Sequence, residues 1–83
     1  MEMKYIRYDA GIADAVVIFS NFLDHSQVAL SLCPNRELLV SAGFVKFDYE
    51  GNLICFGKSH SLGLASDPKD VALIERQIFP EVS

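Results

Sequence analysis

The middle of the chain, residues 41–61, constrains the fold more than any other stretch because it predicts a β-hairpin with a specified turn. Asp48 is typical of the first turn position, and Gly51 suits the positive φ that a three-residue loop with a G1 bulge requires. This loop fixes the register of the two strands. The predicted facing pairs are Phe47 with Leu53, Val45 with Cys55, and Phe44 with Phe56.

Two strands and a helix are predicted before the hairpin. KYIRYD at residues 4–9 interleaves aromatic and basic residues and breaks at Ala10-Gly11, which favours a strand that ends in a turn. Residues 15–22 are rich in β-branched and aromatic types on both parities, as in an interior strand. Asp24 with Gln27 forms a capping-box pattern and predicts a helix over residues 25–32.

A second helix is predicted after the hairpin. Asp67 is the expected N-cap, Pro68 the first helical residue, and Asp70 a favourable negative charge in the first turn. Pro80 is expected to end this helix. The element order is therefore strand, strand, helix, strand, strand, helix.

This order predicts one α+β domain over residues 1–83 and suggests an internal repeat. Residues 4–33 and 41–79 would be two ββα units, since Tyr5 to Asp9 matches Phe44 to Asp48 in residue type. Chance similarity between amphipathic elements is the alternative explanation. Two ββα units most simply form a four-stranded antiparallel sheet with both helices packed on one face.

The alternation of residues along the hairpin assigns side chains to two faces of this sheet. The face with small residues suits close helix packing; it carries Ser41, Gly43, Val45, Phe47, Leu53, Cys55, Gly57 and Ser59. The other face carries Val40, Phe44, Ile54, Phe56 and Leu62 beside Lys46, Lys58 and His60. A bulge near Gly43 would exchange the faces on one side. An apolar face of this kind needs a cover, either a second subunit or a ligand.

Composition favours self-association over nucleic-acid binding. In 83 residues, 51% hydrophobic content exceeds what a small monomer readily buries, which favours a homodimer. The net charge of −4 argues against a duplex-binding protein. Two cysteines, no secretory leader pattern and no apolar run long enough to span a bilayer predict a reduced, cytoplasmic protein without a membrane partner.

Candidate chemistry along the chain is weak. Ser59, His60 and Ser61 include a nucleophile and a base, but neighbouring strand residues point to opposite faces and cannot serve each other. Zinc-type ligands occur without metal-site spacing; they are His25, Cys33, Cys55 and His60. No cofactor or metal is therefore expected.

Two further patterns have residue types that occur in phosphate- or base-binding sites. Gly57-Lys58-Ser59 resembles the end of a phosphate loop but lacks the upstream glycine and continues as a strand. Phe44 and Phe56, with lysines beside them, have the residue types of a single-strand stacking platform. The negative net charge opposes that use, so no nucleic-acid partner is expected.

Three segments resemble a known kind of protein: VVIFSNFLDHSQVA, SAGFVKFD and SHSLGLASDPKDVALIERQI. They resemble small bacterial proteins of unknown function carried on mobile genetic elements, of the integron gene-cassette or prophage accessory kind. The likeness covers most of the chain and includes no catalytic motif. It implies an α+β domain, often dimeric, and supplies no functional residues.

The leading hypothesis is a non-enzymatic accessory or interaction protein that acts as a homodimer through its apolar sheet face. The interface candidates are Val40, Phe44, Ile54, Phe56, Lys58 and His60. The alternative is a protein that binds a small apolar ligand, with Tyr5, Tyr8 and His60 as polar contacts. An enzyme of the hydrolase type using His60 is the third hypothesis.

Overall fold

The computed structural model describes residues 2–79 of the chain. These residues form β1 (Met3–Asp9), β2 (Asp14–Phe19), α1 (His25–Leu32), a 3₁₀ turn (Arg36–Leu38), β3 (Leu39–Phe47), β4 (Leu53–Phe56), β5 (Lys58–Ser59), β6 (Leu64–Ala65) and α2 (Asp70–Ile78). Pro80, predicted to end the second helix, lies outside the described residues.

The main sheet has four strands in the order β2-β1-β3-β4, and each neighbouring pair is antiparallel. The predicted α+β class and four-stranded antiparallel sheet are confirmed. The hairpin register is also confirmed, since Phe47 pairs with Leu53 as predicted. The Asp48 carboxylate accepts two turn N–H groups at 2.9 Å, and Gly51 has a φ of +84°. Strands β5 and β6 form a separate two-stranded sheet that was not predicted.

The two helices begin and end close to their predicted positions. Helix α1 covers residues 25–32 as expected, and the Gln27 side chain accepts the Asp24 N–H at 3.3 Å. Helix α2 begins at Asp70, two residues after the predicted start at Pro68. The Asp67 carboxylate still accepts the Lys69 N–H at 3.0 Å, so Asp67 stabilises the turn that leads into the helix. Strand β2 ends at Phe19, earlier than the predicted residue 22.

The helices lie on opposite faces of the sheet, which corrects the prediction that both pack on one face. Adjacent residues of β1 point to opposite faces, yet Tyr5 and Ile6 are 0% and 1% exposed. Tyr5 packs with Ile74 of α2, whereas Ile6 packs with Ala29 of α1. The face rich in small residues is covered by α2 as predicted. The other face of the sheet is partly covered by α1, because Ala29 of α1 packs there against Ile6 and Phe19.

The internal repeat is not confirmed. A two-fold rotation about an axis perpendicular to the sheet superimposes the β3–β4 hairpin on the β1–β2 hairpin. After this rotation α1 and α2 still lie on opposite faces of the sheet, so the two ββα units differ in hand. Between β4 and α2 the chain also forms β5 and β6, for which the first unit has no counterpart. The similar residue types in Tyr5 to Asp9 and Phe44 to Asp48 are explained by the shared preference of β-strands for aromatic and β-branched residues.

The segment that follows β4 lies close to the backbone of β3 at Gly43. Strand β4 ends at Phe56, and the following segment folds back so that the Ser66 N–H donates to the Gly57 carbonyl at 3.0 Å. A Cβ atom on Gly43 would lie 2.7 Å from the Phe56 carbonyl oxygen and 3.0 Å from the Ser66 Cβ. Glycine is therefore required there by close backbone approach.

Candidate functional site

Three of the predicted interface residues lie side by side on the α1 face of the sheet. Phe44 and Phe56 are a facing pair whose rings stack with centroids 5.7 Å apart. Ile54 faces Lys46, and the Lys46 Nζ lies 4.9 Å from the centroid of the Phe56 ring. All four side chains are half-buried. We call this group, Phe44, Lys46, Ile54 and Phe56, the β4 patch.

Helix α1 borders the β4 patch through His25. The buried imidazole makes edge-to-face contacts with Phe19 and Phe44, with ring centroids 5.5 and 5.7 Å away. Its Nε2–H donates to the Gly43 carbonyl at 2.9 Å. Burial lowers the pKa of His25, which outweighs the opposing effect of this hydrogen bond. His25 therefore covers the β1 side of the α1 face as a neutral aromatic group. The side chains at the β4 side of this face stay partly exposed.

The other three predicted interface residues lie outside the β4 patch. Val40 is 43% exposed and sits where the β1–β3 register shifts between Arg7 and Tyr8. Lys58 is exposed on β5, and His60 is exposed in the turn between β5 and β6.

The serines beside His60 make local structural contacts. The buried Ser59 Oγ accepts the Leu62 N–H at 3.2 Å and lies 3.3 Å from the Ser61 Oγ. Ser61 in turn donates to the Asp24 carboxylate at 3.2 Å. These contacts fix the β5–β6 turn against the start of α1.

A buried polar cluster that the sequence analysis missed joins α2 to the opposite face of the sheet. The Asp70 carboxylate is fully buried and accepts hydrogen bonds from the Tyr5 hydroxyl and, at 2.7 Å, from the Ser41 hydroxyl. Arg7 donates to Asp70 at 2.8 Å and forms a second ion pair with Asp14 at 2.8 Å. We call these five residues, Tyr5, Arg7, Asp14, Ser41 and Asp70, the Asp70 cluster.

The charges of the Asp70 cluster are held in place by its hydrogen bonds. Burial alone would raise the pKa of Asp70, but the donors from Tyr5, Ser41 and Arg7 outweigh it and the pKa is lowered. Burial, together with the hydrogen bond to Asp70, raises the pKa of Tyr5. Within residues 2–79, every fully buried side-chain nitrogen or oxygen has a hydrogen-bond partner. The members of the cluster satisfy one another's hydrogen bonds, which fits a structural role.

An open cleft lies at the end of the sheet where β1 turns into β2. It has a volume of ≈ 450 Å³. It is lined by Tyr8, Asp9, Ala10, Gly11, Leu32, Cys33, Pro34, Asn35 and Leu38. Of the three polar contacts predicted for an apolar ligand, only Tyr8 lies here, since Tyr5 is bonded to Asp70 and His60 is on the β5–β6 turn.

The four residues with zinc-type side chains are distributed over separate elements. His25 begins α1, Cys33 follows α1, Cys55 is on β4, and His60 follows β5. Among the described residues, no three His, Cys, Asp or Glu side chains are grouped so that they could hold a metal ion. Within the same part of the chain, no helix has the length and apolar character to cross a membrane.

Comparisons with protein-family models, curated proteins and solved structures find no match to this chain. The resemblance to mobile-element accessory proteins therefore stays a prediction.

Proposed function

We propose that this chain is a non-enzymatic interaction protein that acts as a homodimer, with the β4 patch at the contact surface. The observation that supports this is the uneven cover of the α1 face. His25 and α1 bury the side chains over β1 and β2, whereas Phe44, Ile54 and Phe56 are only partly buried at the β4 side. Apolar side chains grouped at a sheet border are typical of protein contact surfaces.

The composition of the β4 patch also fits a protein contact better than a nucleic-acid platform. Its one cation, Lys46, is already placed over the Phe56 ring, and the whole chain carries a net charge of −4. Aromatic residues are enriched where protein interfaces have their strongest contacts. The dimer contact would therefore centre on Phe56 and Ile54.

The test is the solution mass of the wild type and of two matched aspartate variants, measured by light scattering across a wide concentration range. The wild type is expected to reach twice the 9.2 kDa chain mass. Phe56→Asp should be monomeric, and Ile12→Asp should stay dimeric because Ile12 is fully exposed in the β1–β2 turn, away from the patch. Circular dichroism checks that each variant is folded.

A second variant is needed in case Phe56→Asp does not fold, because the Phe56 ring stacks on Phe44. Ile54→Asp places a carboxylate opposite Lys46, where a cross-strand ion pair supports the fold while the apolar contact is lost. A wild type that stays monomeric at all concentrations would refute the homodimer. A folded Ile54→Asp protein that remains dimeric would refute the assignment of the contact surface.

The cleft beside Tyr8 supports a second candidate function, the binding of a small apolar molecule. Its ≈ 450 Å³ falls within the usual size range of ligand pockets, and apolar groups of Leu32, Pro34 and Leu38 line it. A ligand there should raise the unfolding temperature, and Leu38→Glu should abolish that shift. Screening with small apolar compounds that gives no shift in the wild type would count against this candidate.

A further inference from the structure

We infer that two copies of this chain join edge to edge through β4, in an antiparallel register centred on Ile54. Two four-stranded sheets would then form one continuous sheet of eight strands. This inference rests on the proposed homodimer and specifies its geometry.

The hydrogen-bond pattern shows which backbone groups of β4 face outward. In an antiparallel pair, alternate residues direct their N–H and C=O groups toward the partner strand. Asp48 and Asn52 are joined by such a bond, at 2.8 Å, so Ile54 and Phe56 also face β3. Leu53 and Cys55 therefore direct their backbone groups away from β3. Within residues 2–79, no strand pairs with this outer side of β4.

Symmetry selects one register for two copies of this edge. A two-fold axis pairs residues at equal distances on either side of it, so the axis can pass through Leu53, Ile54 or Cys55. An axis at Leu53 or Cys55 lets only that residue exchange backbone bonds with its copy. An axis at Ile54 pairs Leu53 with the partner's Cys55 twice over, which satisfies the outward groups of both residues in both copies. The register centred on Ile54 therefore makes the most hydrogen bonds.

The same register brings complementary side chains together. Ile54 meets the partner's Ile54 across the axis, on the face that carries the β4 patch. A hollow of ≈ 260 Å³ lies beside Ile54 and is bordered by Lys46, Phe47, Asp48 and Tyr49. The register puts the partner's Phe56 opposite Asn52, next to this hollow.

The opposite edge of the sheet is partly blocked for the same kind of pairing. The Gln77 side chain of α2 donates to the Val16 carbonyl of β2 at 2.7 Å. This bond consumes an acceptor that an added strand would need, which is a common way to protect a sheet edge. Edge-to-edge association is therefore directed to β4.

The short seam sets the expected strength of the dimer. A four-residue edge and the few side chains beside it bury less surface than a permanent dimer does. We expect a dissociation constant on the order of micromolar, with the mass rising over that concentration range.

Disulfide trapping tests the register directly. Ile54→Cys is made with both native cysteines replaced by serine, and diamide is added as the oxidant. The two thiols would lie across a close, non-hydrogen-bonded pair and should link the copies covalently. Lys46→Cys in the same background is the matched control. It lies on the same face one strand further in, so its copy would be roughly 14 Å away and beyond the reach of a disulfide.

The outcomes separate this inference from the homodimer itself. Covalent dimer from Ile54→Cys and little from Lys46→Cys is expected. If light scattering gives a dimer while both variants link equally or not at all, the edge pairing is wrong and the homodimer stands. A wild type that is monomeric at every concentration overturns both. If Ile54→Cys does not fold, the double variant Asn52→Cys with Phe56→Cys in the same serine background replaces it, and failure to link these two residues between copies overturns the register.

Discussion

The Asp70 cluster gives the sharpest test of how this fold is stabilised. The perturbation is Asp70→Ala, compared with Asp14→Ala. Both carboxylates pair with Arg7 at 2.8 Å, but the Asp70 side chain is 0% exposed and the Asp14 side chain is 30% exposed. The two variants therefore remove the same type of ion pair from two different environments.

The structure predicts a large difference between the two free energies of unfolding. Asp70→Ala leaves the Tyr5 and Ser41 hydroxyls and the Asp67 N–H without their acceptor. Breaking a buried ion pair costs about 3–5 kcal/mol, whereas an exposed pair contributes about 0.2–1 kcal/mol. A domain of 83 residues has a total stability of roughly 4–12 kcal/mol, so Asp70→Ala should remove a large part of it.

Urea unfolding followed by circular dichroism measures both values. Glu75→Ala, an exposed position on the same helix, controls for the change in helix propensity. The reasoning would be refuted if Asp70→Ala and Asp14→Ala destabilised the protein equally, or if Asp70→Ala cost less than about 1 kcal/mol.

Acid unfolding provides an independent readout of the same carboxylate. The pKa of Asp70 is lowered in the folded state, so its contribution is complete above the unfolded pKa of about 3.9. This contribution is lost as the pH falls through the lower, folded pKa. Asp70→Asn should reduce the pH dependence of the free energy of unfolding in that acid range. An unchanged pH dependence would mean that protonation of Asp70 is not coupled to unfolding.

Three further outcomes follow from single residues. Gly43→Ala should destabilise the protein by about 1–3 kcal/mol in urea unfolding, because its Cβ would lie 2.7 Å from the Phe56 carbonyl; a neutral effect would contradict the close approach. The lowered pKa of His25 means that the unfolded chain binds the proton first, so stability should fall as the pH drops below about 6.5. A His25→Gln variant should lose that part of the slope. Burial raises the pKa of Cys55 to about 11, so a Cys33→Ser protein should react with iodoacetamide at pH 8 about 100-fold more slowly than a free thiol, as measured by mass spectrometry.

Local chemistry made the hairpin and the first helix predictable from sequence. The turn from Asp48 to Gly51 requires particular residue types within a few positions, and those types determine the loop and register. The Asp24 and Gln27 pattern fixes the start of α1 in the same local way. Phe44, Ile54 and Phe56 were placed on one face because the register was known, and the structure brings these three together.

The placement of the helices and the formation of the Asp70 cluster depend on contacts between residues far apart in sequence. The local hydrophobic and capping patterns do not specify such contacts. Asp70 is suited to a helix first turn, and nothing near it in sequence indicates its partners Tyr5 and Arg7, more than 60 residues away. The adjacent apolar residues Tyr5 and Ile6 are a sequence signal that β1 is covered on both faces, and both are buried in the structure. Val40, Lys58 and His60 were placed by extending the strand alternation across a bulge and a positive-φ glycine, Gly57, where alternation no longer holds.

The separation of Arg7 and Asp70 by 63 residues also orders events during synthesis on the ribosome. At roughly 5–20 residues per second, about 3–13 s pass between the synthesis of the arginine and that of the carboxylate that neutralises it. During this interval Tyr5 and the α2 face of β1 have no cover, so the nascent chain cannot complete its first strand alone. Burial of the amino-terminal half is therefore complete only when α2 has been made. A chain truncated before Asp70 would leave this sheet face exposed and prone to aggregation.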